Sequence, residues 1–373
     1  MKIMGPKLSS LVLFTAGAVA ATASQAATFY TFADLGTETT QSYARAINDT
    51  GKIAGYALFP DETAYDAVSW DGTKVTGLGT LGGSFSSALG INSAGQIVGY
   101  SETANHRQHA TLWNDTTATD LQPQRPEHGE AQAINDAGQV AGAVFTSATG
   151  RQATVWNGTT PTDLGSLGGQ SSQARAINNA GQVAGDSYLE DDTTKRATVW
   201  NGTKATDLGT LGGRSSIAND INNNSELAGY AYLSGDSAYH ATLWNGTSAT
   251  DLGTLGGNLS EARALNDAGL AVGWAQTSSG VTHATLWDNT TAIDLNSFLD
   301  ASTAQAGWVL ERAYDINSTG WIVGDAHNAI SGANHAFLLT PVPEPETYAL
   351  FMAGLALMAT VMSARPSTRI KTS

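Results

Sequence analysis

The chain has 373 residues and no cysteine, which removes disulfides, thiolate metal sites, iron–sulfur clusters and a cysteine nucleophile together. It carries 33 acidic against 18 basic residues, for a formal charge of −15. Once the ends are set aside, residues 28–341 hold 13 basic and 31 acidic side chains, which excludes nucleic acid as a partner held by phosphate neutralisation.

Lys2 and Lys7, the largely apolar stretch 11–21 and the small residues Ser24 to Ala27 follow the order of an export signal cut near Ala26. Residues 1–26 are therefore expected to be a signal peptide. The acidic body would then be a soluble exported domain.

From there the chain repeats. Seven Ile/Leu-Asn pairs end at Asn48, Asn92, Asn135, Asn178, Asn222, Asn266 and Asn317, spaced 44, 43, 43, 44, 44 and 51 residues apart. Trp70, Trp113, Trp156, Trp200, Trp244 and Trp287 keep the same step. Around Asn178 the pattern predicts strands near 174–178, 182–188, 196–200 and 206–211. Asn179-Ala180-Gly181 and Asn201-Gly202-Thr203 join them as tight turns. Four strands per period of about 40–45 residues is a propeller pattern.

The expectation is an all-β, seven-bladed β-propeller of four-stranded blades over residues 28–341. Strands of the Asp-Leu-Gly type occur at Asp34, Gly77, Asp120, Asp163, Asp207, Asp251 and Asp294; the first precedes the first Asn marker and none follows the last. The seventh unit must therefore borrow its fourth strand from residues 29–36, which would close the ring and remove an exposed sheet edge.

The motifs His/Arg-Ala-Thr-Leu-Trp, Asp-Leu-Gly-Thr-Leu-Gly-Gly and Ala-Ile-Asn-Asp-Ala-Gly-Gln-Val-Ala-Gly resemble those of the HAF-repeat family of exported bacterial proteins. The likeness spans nearly all of residues 30–340. Gly77 and Leu339 depart from the pattern, standing where Asp and Trp are expected. The resemblance implies an extracellular location and brings no catalytic residues.

Recurring columns read structurally. His109, His240, His283 and His335 open the third strand, but Asp66, Gln152 and Arg196 hold that place elsewhere, so no ring of imidazoles can form. No cofactor is expected; calcium enters only through acidic loops such as Glu190, Asp191 and Asp192. No acid stands out within its column as a catalytic carboxylate. The candidate ligand-binding residues are Arg45, Arg175, Arg263 and Tyr314, which precede Ala-Ile-Asn or its equivalent on the expected innermost strand, and Trp308 from the late insertion. Variable loops near 57–65, 101–108, 144–151, 187–195, 231–239, 275–282 and 325–334 fall on one face, where recognition usually sits.

The chain ends with Val342, Pro343, Glu344 and Pro345, an apolar run over 348–362, and the basic residues Arg365, Arg369 and Lys371. This order resembles the PEP-CTERM signal of Gram-negative exported proteins. The resemblance implies an exosortase-type processing enzyme as partner, a C-terminal apolar helix held at least transiently in the inner membrane, and delivery to the cell surface or exopolysaccharide matrix. The basic end would act as a stop on the cytoplasmic side. The functional expectation is a non-catalytic propeller binding glycan or a surface protein. A glycan hydrolase or lyase and a purely architectural adhesin are the alternatives.

Overall fold

The computed structural model describes residues 29–125, 127–146 and 150–342. The signal segment 1–26, the apolar run 348–362, the rest of the sorting motif after Val342 and the basic end lie outside the described residues. Within them no helix is long and apolar enough to cross a membrane.

The described chain from Phe29 onward is an all-β, propeller-like fold of 28 strands. Five sheets have four strands; a sixth holds two four-stranded runs joined only by a parallel contact of Tyr239 with Leu259. One unit illustrates all. Strands Gly168–Ile177, Gln182–Leu189, Lys195–Asn201 and Lys204–Asp207 pair in sequence order, each antiparallel to the last. A bulge between Ala174 and Ala176 bends the first strand. Opposite it, a side chain at Gly185 would collide with the Gln173 carbonyl, which is why the repeat needs Gly there.

Three devices recur between units. The six tryptophans of the third strands are fully buried in the seams; Trp244, for example, packs with Leu208 and Ala197 of the preceding unit. In the last unit Leu339 stands in the Trp position, and Phe337, two residues away on the same face and fully buried, supplies aromatic bulk. A serine hydroxyl from the next unit accepts the third-strand amide, as in Ser216 Oγ to Ala197 N at 3.0 Å and Ser260 Oγ to Ala241 N at 2.8 Å.

The third device is a ring. Each marker asparagine caps its own turn through Oδ1 and donates Nδ2 to the backbone oxygen of the next marker at 3.1–3.2 Å: Asn48 to Asn92, Asn135, Asn178, Asn222, Asn266, Asn317 and back to Asn48.

The last sheet contains Trp308–Ile316, Ile322–Asn328 and Asn334–Val342, and its fourth strand is Phe29–Asp34 from the start of the body. Phe29 pairs with Val342 and Asp34 with Phe337. The late insertion forms a 3₁₀ turn, Leu295–Phe298, and a short helix, Ala301–Gln305, capped by Asp294 and Asp300.

Candidate functional site

The innermost strands bring four of the five expected binding residues together. Arg45, Arg175, Arg263 and Tyr314 line a central cavity of about 270 Å³ with Leu89, Gln132 and Asn219, one residue from each repeat. The guanidinium groups are already engaged. Arg45 lies 3.2 Å from Asp325, donates to the Tyr56 hydroxyl at 2.7 Å and stacks 3.8 Å above the Tyr314 ring. Arg175 lies 2.7 Å from Asp186, and Arg263 lies 3.1 Å from Glu261. The cavity wall is thus a set of neutralised pairs, closer to a structural plug than to an open anion site.

Trp308 is not among the cavity residues. It packs against Phe32 and His335, with ring centroids 6.2 and 5.1 Å away, and covers the seam made by the borrowed strand. Its position in the insertion gave no indication of this, because Phe32 is more than 270 residues away.

Two acids do stand out in their column, contrary to the sequence reading. The residue after the cavity ring is Ala46, Gly90, Ala133, Ala176 or Ala264 in five repeats, but Asp220 and Asp315 in the others. Each carboxylate clamps two amides. Asp220 accepts from Ile221 N and Leu265 N at 2.8 and 2.9 Å; Asp315 accepts from Ile316 N and Ile47 N, both at 2.8 Å. Burial pushes Asp220 up to about 6 and Asp315 to about 7 against the pull of those amides; the Asp220 charge raises Asp315 further, and the Asp267 charge raises Asp220. Fixed by backbone donors on both oxygens, neither is arranged as a catalytic acid or base. Their signal was present: an acid where the column otherwise holds the smallest residues.

The histidine column has a common partner. His109, His240, His283 and His335 lie 2.7–2.9 Å from Asp120, Asp251, Asp294 and Asp34, and Arg196 reaches Asp207 at 3.5 Å. The same aspartates accept an amide two residues on, as Asp251 does from Gly253 at 2.8 Å. In the first repeat both partners change, to Asp66 and Gly77. In the acidic loop Asp191 accepts from Thr193 N and Thr194 N, and Asp192 from Gln170 N, so these oxygens serve the turn. Among the described residues no group of three or more His, Asp or Glu is arranged for a metal ion.

The loop face carries the remaining chemistry. Its largest aromatic group is Tyr230, Tyr232, Tyr239 and Trp274, with Tyr230 and Tyr239 centroids 4.8 Å apart and Tyr232 and Tyr239 5.3 Å apart. Beside it a cavity of about 420 Å³ opens between two units, with Lys195, Arg214, Tyr230, Tyr232 and Asp236 in its wall. A second tyrosine group, Tyr43, Tyr56 and Tyr65, is internally satisfied: Tyr43 and Tyr65 donate to Gln41, and Tyr56 accepts from Arg45. The hydroxyls of Tyr230, Tyr232 and Tyr239 have no such partner among the described residues.

With this geometry in view, the comparisons bear on the scaffold. No protein-family model matches the chain, and no curated protein matches it. Among solved structures, the β-propeller domain of the Trilobed protease from Pyrococcus furiosus, a domain with an open velcro topology, aligns at a TM-score of 0.52 and 10% identity over 82% of this chain and 98% of its own. TolB from Acinetobacter baumannii aligns at 0.43 and 11% identity, covering 85% and 64%. YCF48 bound to D1 peptide aligns at 0.45 and 11% identity, covering 85% and 96%. The first likeness supports the propeller scaffold and carries nothing about activity.

Proposed function

We propose that this chain is an exported, non-catalytic, seven-bladed β-propeller that binds glycan or protein at the cell surface or in an exopolysaccharide matrix. The closed ring of seven asparagines supports the blade count. The resemblance of the repeats to the HAF-repeat family and of Val342, Pro343, Glu344 and Pro345 to a PEP-CTERM motif supports the address. In this reading an exosortase-type enzyme acts on the tail, residues 348–362 dwell in the inner membrane, and Arg365, Arg369 and Lys371 hold the end inside.

The observation that carries the binding role is the loop-face cavity, whose tyrosine hydroxyls have no hydrogen-bond partner among the described residues. Aromatic faces beside unspent donors suit sugar rings, which offer apolar C–H faces and hydroxyl edges together. The purified full chain should be retained on immobilised exopolysaccharide or envelope glycan from the producing cell. A chain that retains neither glycan nor a cell-surface protein in that pull-down would remove this reading.

A further inference from the structure

We infer that the cavity between strands Lys195–Asn201 and Gly212–Ile221 is a subsite for an acidic sugar, a uronate whose carboxylate is held by Arg214 and Lys195 and whose ring lies on Tyr230 and Tyr232. The inference rests on the glycan-binding reading and narrows it to one ligand class.

Charge is the first argument. In a body this acidic, cations are scarce and mostly paired, yet Arg214 is exposed at the cavity and its guanidinium has no partner among the described residues. Only its backbone amide is engaged, donating to Asp236 at 2.7 Å. Lys195 shares a single carboxylate with a second cation: its Nζ lies 3.3 Å from Asp186, which Arg175 already holds at 2.7 Å. Arg175, Lys195 and Arg214 therefore face Asp186 and Asp236, while Glu261 beside Tyr230 is held by Arg263 at 3.1 Å, which leaves one positive charge in excess.

Shape and donors are the second argument. Tyr230 and Tyr232 are partly buried neighbours on one strand face, with centroids 6.4 Å apart, and Tyr239 stacks behind both. Burial, and then the nearby Glu261 carboxylate, raise the Tyr230 phenol above its ordinary range, so it stays a neutral donor. A guanidinium matches a carboxylate through two parallel N–H donors, and the packed rings present a rigid apolar floor.

The test is calorimetric titration of the full chain with an oligogalacturonate and with the same oligomer after reduction of its carboxylates to alcohols. The acidic oligomer should bind at least about tenfold more tightly than the reduced one. Raising salt from about 50 to about 500 mM should weaken only the acidic ligand. Arg214→Ala and Tyr232→Ala should each lose about tenfold in affinity, and Arg214→Lys should recover part of it. Arg107→Ala, on a separate loop-face cavity, should bind as the parent does. Thermal melts establish that each variant is folded.

Equal binding of the two oligomers, or Arg214→Ala binding unchanged, would overturn the uronate subsite. If the chain still retains a neutral glycan or a protein in that case, the broader binding role stands and only this inference falls. No retention of any glycan or protein removes both.

Discussion

His335 Nδ1 lies 2.9 Å from Asp34 Oδ1, although the two residues are 301 apart in sequence. Every other His–Asp link of this kind spans 11 residues within one repeat. The first strand of the body thus supplies the last unit with the same contact that the other units make for themselves.

That contact predicts how the ring opens. Asp34→Ala should lower stability by about 1–2 kcal/mol, since the buried-side imidazole loses its acceptor and Gly36 N loses its turn partner. Deleting residues 29–36 should do far more, exposing the ladder of Asn334–Val342 and removing the buried Leu35 from the seam. Calorimetric melting measures both, and an unchanged melting temperature in the deletion would refute closure by this strand.

A second seam joins the same two units at the cavity. Arg45→Ala leaves Asp325 buried without its cation and should cost about 3 kcal/mol. Replacing both residues by Ala should cost less than the single change. A denaturant-based double-mutant cycle tests this, and additive losses would argue that the pair does not interact.

The amide-clamping acids give the stability a pH slope. Asp220 and Asp315 titrate above the ordinary carboxylate range in the folded chain, so between about pH 4 and 7 the native state keeps protons that the unfolded chain has released. Their contribution is therefore present at low pH and lost as pH rises through about 6 and 7. In the Asp220→Ala, Asp315→Ala double variant the melting temperature should vary less across pH 5–8 than in the parent.

Seam packing and the asparagine ring should differ in cost. Trp200→Ala removes a fully buried indole and should lose about 4 kcal/mol. Asn178→Ala breaks the donor to Asn222 O and the acceptor of Ala180 N and Gln182 N, for about 2 kcal/mol. Urea unfolding distinguishes them; comparable losses would mean that the ring link is worth more than its hydrogen bonds.

The scaffold was readable because each unit solves one problem with the same residues. The asparagine must cap its own turn and reach the next, so it cannot drift, and the tryptophan must fill a seam of fixed width. The borrowed strand followed from counting strands of the Asp-Leu-Gly type against Asn markers. The site was harder to read because its groups meet across strands. Arg175 is recognisable in its column, but its carboxylate, Asp186, lies on the paired strand, where other units place Tyr56, Tyr100 or Tyr230. Tyr230, Tyr232 and Tyr239 come from two strands of one hairpin and meet Trp274 of the following unit. Nothing in their spacing says that these rings converge while those near Gln41 are satisfied internally.

The pairing of Phe29 with Val342 also sets an orientation. In every unit the third strand runs away from the variable loops, and Asn334–Val342 is such a strand, so the body begins and ends on the face of the asparagine turns. The tyrosine cavity therefore opens on the face opposite both ends of the described body.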